Sequence, residues 1–353
     1  MPAPMSLKES PTGSNAGEPG CDTAHSPILM PLIGSSFPLG RAREHAESLS
    51  DPDERAIALS ELAYFQGRPE DALALSEPYL ESRDVGLRSS ACFISAYSCL
   101  PLNRISKARD ALAILERQVE NAHGLEAPVA LFARDAALSL LHLDEGRGNT
   151  TTPLTAPQGL SEGVRMFLAN VRAHQAYLRG DYGQSLGIVE GALSMASALF
   201  PIPALYLHLV GCMSAMSLKQ LDYAKSLFTR AWDLAKPDGL IQGIAEHHGL
   251  LGGLIETCVK PVDPDAYRRI IDITYRFSAG WRRVHNPRMQ EEVADNLTTT
   301  EFSIAMLLNR GWTIREIASF LNVSENTVKT HARHVYAKLG IKNRRELSRF
   351  MLR

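Results

Sequence analysis

The chain has 353 residues, of which 45% are hydrophobic and 22% charged, so it can bury a sizeable core in about two domains. This composition excludes wholesale disorder and collagen-like structure. The formal net charge of −2 hides an asymmetry: residues 297–353 hold 10 Lys and Arg against 4 Asp and Glu, whereas the rest carries a net −8. A small basic segment on an acidic body indicates a module that binds a polyanion.

The first 36 residues are rich in Pro, Gly and Ser and show no hydrophobic period. This composition predicts a disordered leader over residues 1–36. A secretory signal is not expected, because Pro and Gly stand where an apolar stretch should lie. The five cysteines contain no CxxC pair and are odd in number, which favours reduced thiols. We therefore expect a cytoplasmic protein.

Residues 37–280 have a helical pattern, with many Ala and Leu and apolar residues at spacings of three and four. Four segments share one plan, in which a helix ends, the chain turns, and a second helix opens on a small residue. These segments are 63–72, 98–108, 176–185 and 217–224. Their small residues, Ala72, Ala108, Ser185 and Ala224, are spaced 36, 77 and 39 apart. The double interval predicts a degenerate unit near residue 146, with a long loop.

The turn Gly180-Asp-Tyr, with Ala192 seven residues after Ser185, resembles the tetratricopeptide repeat. The resemblance covers most of residues 50–258 and implies a solenoid of helix pairs. Such a stack offers a concave face for a peptide, protein or small-molecule effector. We expect residues 37–280 to supply the signal and most of the self-association of a homodimer.

Two stretches bear on membranes and linkers. Gly191–Leu218 contains no charged residue, and a membrane span needs about 20 apolar residues. Pro201 and Pro203 interrupt this stretch, so we expect two buried helices joined by a turn and no membrane contact. Residues 281–296 are polar, contain Pro287, and predict a linker or one short helix before the basic segment.

Capping patterns mark the helix starts of residues 297–353. The N-cap candidates are Thr298, Thr313, Ser324 and Asn343, of which all but Ser324 precede a Glu by three residues. Gly311 and Gly340 stand where helices should end. The pattern therefore predicts three short helices and a fourth over residues 344–352.

The third predicted helix carries one apolar stripe, formed by Val328, Ala332, Val335 and Leu339. A short turn, Asn322–Ser324, connects it to the second helix. Two helices joined in this way predict a helix-turn-helix whose later helix reads DNA.

These residues resemble the DNA-binding domain of LuxR/GerE-type regulators over about 50 positions without a gap. The matching positions are Leu297-Thr-x-x-Glu301, Ile304, Leu308, Gly311, Glu316-Ile-Ala318, Leu321, Val323-Ser324, Thr327-Val-Lys329, His331, Lys338-Leu-Gly-Ile341, Asn343-Arg344 and Glu346-Leu347. The resemblance implies a four-helix domain that binds double-stranded operator DNA, usually as a dimer, within a transcriptional regulator. The fold class is therefore predicted as all-α, a helix-pair solenoid followed by a small helix-turn-helix domain.

A helical domain joined to such a module is also similar to the C-terminal part of MalT-like regulators, which carry an N-terminal ATPase. This sequence has no GxxxxGK[ST] motif, so neither an ATP switch nor another cofactor is expected.

The helical wheel of the third helix places Asn326, Lys329, Thr330 and Arg333 away from the apolar stripe. Lys and Arg donate to guanine, Asn pairs with adenine, and the Thr methyl contacts thymine. We therefore predict these four as base-reading residues, and the resemblance implies the same positions.

Phosphate contacts are predicted for Thr313, Ser324 and Thr327 at helix starts, where plain capping is the alternative. Arg345 and Arg349 join them, because the last helix has a basic outer face. That face disfavours dimerisation through the last helix. His331 and His334 are three apart, but no third ligand stands near them in the sequence, so no metal site is expected.

The leading hypothesis is a sequence-specific transcriptional regulator with a sensing helical domain. The alternative is a protein-interaction scaffold that the C-terminal domain tethers to DNA, without ligand sensing. An enzyme ranks last, because the sequence shows no nucleophile–base pair, metal cluster or phosphate loop.

Overall fold

The computed structural model describes residues 29–143, 160–285 and 297–349, with only the backbone of Arg282, His285 and Arg349. Within these ranges the chain is helical and contains no strand, as the all-α prediction requires. In chain order the body contains α1 (Ala42–Ser48), α2 (Pro52–Phe65), α3 (Pro69–Ser76), α4 (Val85–Cys99), α5 (Ile105–Asn121), α6 (Glu126–Leu140), α7 (Glu162–Leu178), α8 (Tyr182–Met195), α9 (Pro201–Ser217), α10 (Leu221–Ala235), α11 (Gln242–Glu246) and α12 (Pro264–His285).

Four helix pairs make up most of the described body: α2 with α3, α4 with α5, α7 with α8, and α9 with α10. These pairs match the four sequence segments, and the small residues at their turns, Ala72, Ala108, Ser185 and Ala224, are fully buried. Helices α2, α4, α6, α7 and α9 pack successively and form an inner layer, and the second helix of each pair lies outside it. The predicted helix-pair solenoid is confirmed.

A left-handed residue closes each inner helix. These residues are Gly67, Asn103, His142, Gly180 and Lys219, spaced 36, 39, 38 and 39 apart. At each turn the following N–H donates to the carbonyl five residues before it, at 2.8–2.9 Å. This is the Schellman closure of a helix C-terminus. The turn at His142 supplies the unit that the double interval predicted, whereas the loop expected near residue 146 lies outside the described residues.

Helix α9 explains the charge-free stretch of the sequence. Every residue from Pro201 to Met216 is buried, as expected of a helix that is apolar all round. Pro201 occupies the first turn of α9, where a missing N–H costs nothing. In the described ranges no helix is both long and apolar enough to cross a membrane.

The two ends of the solenoid meet at Asp238. Its carboxylate accepts hydrogen bonds from the N–H groups of Gly40 (2.7 Å) and Ala42 (2.9 Å). Its carbonyl accepts a third bond from the Gln66 side chain at 2.9 Å. The first helices therefore contact the end of the last pair, and the inner layer curves around a central space.

The leader prediction is wrong for residues 29–36, which pack into the body. Leu32 and Ile33 are fully buried, and their N–H groups donate to Glu61 Oε2 at 2.7 and 3.0 Å. Met30 N–H donates to Ser90 Oγ at 2.8 Å. The apolar run of this segment is too short to show a period, so composition alone could not place it. Residues 1–28 of the predicted leader lie outside the described residues.

Helix α12 crosses the turns of the first two pairs. Its Gly280 lies directly against the backbone of Leu100, and Ile273 packs over Gly67. The apolar stripe of the helix continues to Val284, which is buried. Residues 281–285 therefore belong to α12 rather than to a linker, and the remaining predicted linker residues, 286–296, lie outside the described residues.

The C-terminal domain contains α13 (Thr299–Asn309), α14 (Ile314–Leu321), α15 (Glu325–Leu339) and a 3-10 helix (Arg344–Arg349). Thr298 with Glu301 and Thr313 with Glu316 form two of the three predicted capping boxes. Ser324 Oγ accepts the N–H of Thr327 at 3.1 Å and caps α15.

The fourth predicted cap differs from the other three. Asn343 Oδ1 accepts the N–H of Arg345, only two residues later, at 2.9 Å, and the chain continues as a 3-10 helix. Leu347 anchors this helix and is fully buried. Gly311 and Gly340 have φ values of 90° and 64°, the left-handed backbone that ends α13 and α15.

Candidate nucleic-acid interface

The inner face of α15 is the predicted apolar stripe. Val328 and Val335 are fully buried, and Ala332 and Leu339 are nearly so. Helices α13 and α14 both pack against α15. Because this stripe fixes the rotation of α15 about its axis, the side chains on the opposite face point to solvent.

The outer face of α15 carries the four residues predicted to read bases. Asn326, Lys329, Thr330 and Arg333 are all exposed. Lys329 Nζ lies 3.6 Å from Glu325 Oε2, one turn before it, an exposed pair that contributes little to stability. The structure therefore brings two cations, an amide and a hydroxyl together on one face.

Of the three hydroxyls predicted to contact phosphate, those of Thr313 and Ser324 already cap helices, and that of Thr327 contacts the Ser324 hydroxyl. Thr313 Oγ1 accepts the N–H of Glu316 at 3.2 Å, and the Ser324 and Thr327 hydroxyls lie 2.8 Å apart. All three residues are exposed, so capping leaves them accessible to a further partner. Arg345 is exposed as well, whereas the prediction for Arg349 concerns a side chain outside the described residues.

The histidines of α15 do meet a third possible ligand. His331, His334 and Glu301 place ligand atoms within 4.8 Å of one another, which the linear sequence does not show. Glu301 Oε2, however, already accepts bonds from Lys338 Nζ (2.7 Å) and Thr298 N–H (2.8 Å). The Lys338 ammonium thus already pairs with this carboxylate, and the absence of a metal site stays a prediction.

The C-terminal domain docks on the body at a glycine-rich turn. Phe302 lies over Gly249, Leu307 over Gly252, and Leu321 over Gly253. A Cβ at Gly249 would collide with the Phe302 ring, so the close approach requires glycine there. The sequence pattern predicts that Leu307 and Leu321 pack in the core of the C-terminal domain. It does not predict that they also contact the body.

Polar contacts reinforce the docking. Arg310 Nη2 donates to Tyr177 Oη and to the Leu250 carbonyl, both at 2.7 Å. Lys219 Nζ lies 2.9 Å from Glu316 Oε1. The Thr313 N–H bond and the Lys219 ammonium together lower the pKa of Glu316 to about 2. These contacts involve α13 and α14 and leave the outer face of α15 exposed.

A cavity of about 220 Å³ lies where the body meets α13. The sequence pattern does not predict this cavity. Tyr64 and Tyr97, near the C-terminal ends of α2 and α4, line it together with Tyr206, which lies near the start of α9. The aromatic residues at the ends of α2 and α4 are a signal in the sequence that could have indicated it.

Comparison with known proteins agrees with this geometry. Residues 295–351 match the model of the luxR family of bacterial regulatory proteins. These residues form a luxR-family helix-turn-helix domain. The chain is also similar to the HTH-type transcriptional regulator MalT of Vibrio campbellii, with 26% identity over 239 residues, which are 60% of this chain and 26% of that protein.

Two further relatives share shorter stretches. MalT of Vibrio cholerae is 39% identical over 105 residues, which are 28% of this chain and 11% of that protein. The probable transcriptional regulatory protein SgaR of Hyphomicrobium methylovorum is 38% identical over 56 residues, 16% of this chain and 26% of that protein. No solved structure matches the chain.

The chain spans about a quarter of the length of the Vibrio campbellii MalT that it matches. That alignment is much longer than the luxR-family domain, so the similarity extends into the helical body. Both predicted resemblances, to LuxR/GerE-type domains and to MalT-like regulators, are confirmed.

Proposed function

We propose that this chain is a sequence-specific transcriptional regulator that inserts α15 of its luxR-family domain into the major groove of DNA. One observation carries the proposal: the polar outer face of α15 stays exposed while the domain docks through α13 and α14. A helix of this size fits the major groove, whose base edges form a distinct donor and acceptor pattern.

Each outward side chain suits a base edge. Lys329 and Arg333 donate to guanine O6 and N7, Asn326 pairs with adenine, and the Thr330 methyl contacts the methyl of thymine. The exposure of all four residues supports this assignment.

Phosphate contacts fix the register of α15 in the groove. Thr313, Ser324 and Thr327 each present a hydroxyl at the start of a helix, where free N–H groups also favour an anion. Arg345 and Arg349 add positive charge beyond α15. Such contacts position a protein but carry no sequence information.

We further propose that the protein acts as a cytoplasmic homodimer on a palindromic site. Two copies of α15 would enter major grooves one helical turn apart, roughly 34 Å. The body supplies most of the self-association in this proposal and also receives the effector. A catalytic role is not proposed, because the relatives that match are named as transcriptional regulators.

Selection from random DNA with the purified full chain tests the proposal. We expect a palindromic motif, and binding whose log–log salt slope is about −0.9 per phosphate contact. The double variant Lys329→Ala, Arg333→Ala, selected in parallel, should lose the motif but keep salt-sensitive binding. Salt-insensitive binding, or no enriched sequence with the unmodified chain, would contradict the proposal.

A tethered scaffold makes a different prediction in the same assay. It would show the same motif, but no added small molecule, peptide or protein would change its affinity for DNA. A ligand-dependent change in affinity therefore separates the two hypotheses.

A further inference from the structure

The cavity has walls from both parts of the protein. The body contributes residues of its inner helices and of α11 and α12, and the luxR-family domain contributes Leu297, Thr299, Phe302 and Met306. A molecule in this space would therefore contact the body and α13 together.

Six aromatic side chains form a closed ring in the wall of the cavity. In order around the ring they are Tyr64, Tyr97, Phe93, Phe167, Tyr206 and Phe65. The centroids of neighbours lie 4.8–6.2 Å apart, mostly in edge-to-face arrangements. They come from α2, α4, α7 and α9, so the ring exists only because the solenoid curves back on itself.

One carboxyl group lies beside this ring. Glu246 accepts hydrogen bonds from Tyr64 Oη and Gln242 Nε2 (3.0 Å) on Oε1, but only a long 3.3 Å bond from Tyr206 Oη on Oε2. A carboxylate has about four acceptor positions, so Oε2 keeps capacity for another donor. The buried Tyr97 hydroxyl, also in the lining, has no partner among the described residues.

Neither Lys nor Arg stands beside Glu246 in the described lining of the cavity. Glu246 is the only acid among these described residues, and the histidines among them are His142, His174, His247 and His248. Burial lowers the pKa of His174 and His247, which disfavours their cationic forms, and His248 Nε2 lies 2.9 Å from Glu256 Oε1, outside the lining. Burial raises the pKa of Glu246 to about 7, because hydrogen bonds offset only part of the cost of burying its charge.

We propose that the cavity binds a small organic cation, an amine with an aromatic or apolar body, whose ammonium group pairs with Glu246. Tyr64 and Tyr206 donate their hydroxyls to Glu246, and both rings line the same cavity together with Tyr97. Aromatic rings in such a wall attract desolvated cations. The apolar remainder of the ligand contacts the Phe side chains of the ring and Phe302. An anion would oppose the ionisation of Glu246, whereas an ammonium group supplies the counter-charge that a neutral molecule lacks.

Binding of the amine in the cavity is coupled to the position of the luxR-family domain. This step rests on the proposed function. Because Phe302 and Met306 of α13 form part of the wall, the amine binds the docked arrangement more tightly than an undocked one. Coupling between two sites is reciprocal, so the amine must also bias docking. The amine and a variant that weakens docking should therefore change the affinity for DNA in opposite directions.

Titration of the full chain tests the ligand class. The probes are 2-phenylethylamine, 2-phenylethanol and phenylacetate. Calorimetry and the fluorescence of Trp281, which lies in the lining, detect their binding. We expect the amine to bind with a Kd below about 5 mM, at least about tenfold tighter than the alcohol or the acid. Equal affinities, preference for phenylacetate, or no binding of the amine would overturn the proposal.

Two variants show where the amine binds. Glu246→Gln should remove the preference for the amine, whereas Glu61→Gln, which alters a buried carboxyl outside the cavity, should keep it. If Glu246→Gln binds the amine as the unmodified chain does, Glu246 is not its partner and the assignment is wrong.

Two more variants test the coupling. Phe302→Ala removes part of the cavity wall, and Arg310→Met removes docking contacts outside it; both should weaken amine binding by about fivefold or more. Met195→Ala, at an exposed position, should leave amine binding unchanged. In the DNA assay, the amine and Arg310→Met should have opposite effects.

The outcomes separate this inference from the proposed function. Amine binding with unchanged DNA affinity contradicts the coupling and leaves the DNA-binding proposal intact. If the unmodified chain does not bind DNA at all, the proposed function is contradicted. The amine titration remains a valid test of the cavity in that case.

Discussion

The outer face of α15 and the cavity of the body are both candidate binding surfaces, but they are built in different ways. Residues 326–333 carry the whole base-reading face within eight positions of one helix. The cavity instead collects residues from Tyr64 to Met306. A face on a single helix follows from its period of 3.6 residues, whereas a cavity requires the tertiary arrangement of every helix around it.

The two surfaces also differ in their electrostatics. The side chains on α15 are exposed, and water screens their charges. In the body, burial raises the pKa of Glu246 to about 7 and that of Glu61 to about 8. We therefore expect the exposed side chains of α15 to affect recognition without affecting stability, and Glu61 to affect stability without affecting recognition.

The largest effect is expected at the inner stripe of α15. Val328→Asp places a carboxylate at a fully buried position, which costs several kcal/mol, about 3–5, and should unfold the luxR-family domain. Circular dichroism and DNA binding should both show the loss. Val323→Asp is the matched control, because Val323 is 41% exposed and should tolerate the change. A folded Val328→Asp variant would mean that α15 is rotated differently.

The next effect concerns Glu61 and pH. Because its pKa is raised from 4.5 to about 8, its contribution to stability is complete below pH 4.5 and is lost as the pH rises through 8. We expect the free energy of unfolding to fall by about 3–5 kcal/mol over this range from Glu61 alone.

Urea unfolding at a series of pH values measures this slope. Glu61→Gln should flatten it, leaving the smaller fall between pH 4.5 and about 7 that Glu246 causes. Glu47→Gln, at an exposed ion pair, should leave the slope as it is. Equal slopes for Glu61→Gln and the unmodified chain would show that Glu61 is ionised in the fold.

A smaller effect is expected on the outer face of α15. Arg333→Ala should weaken binding to the selected site by about 1–3 kcal/mol and binding to random DNA much less, with unchanged thermal stability. Arg230→Ala, an exposed arginine on α10, is the control and should change neither. Equal losses on both DNAs would assign Arg333 to a phosphate rather than a base.

The smallest effect is expected at the ion pair between body and luxR-family domain. Both side chains of the pair, Lys219 and Glu316, are more than 40% exposed. Lys219→Ala should shift the thermal midpoint by at most about 1–2 °C, since exposed pairs contribute little. A larger shift would show that this contact, rather than the apolar contacts of α13, holds the two parts together.

The features that the sequence predicted are set by single helices or neighbouring helices, and those that it did not predict depend on tertiary contacts. The inner stripe of α15, the capping boxes of α13 and α14 and the four helix pairs are all local patterns, and all are present, whereas the box predicted at Asn343 and Glu346 does not form. The packing of residues 29–36 and the docking on Gly249 were not predictable, because each depends on partners far away in the chain. The carboxylate beside His331 and His334 was not predictable for the same reason, since Glu301 lies on α13.

Methylation interference on the selected DNA tests the central claim most directly, because N7 of guanine lies in the major groove. If α15 reads that groove, methylation of particular guanines should block binding, and Arg333→Ala should remove the sensitivity of one guanine per half-site. Binding that tolerates methylation at every guanine, or a pattern that Arg333→Ala and Lys329→Ala leave unchanged, would contradict the assignment of α15 as the reading helix.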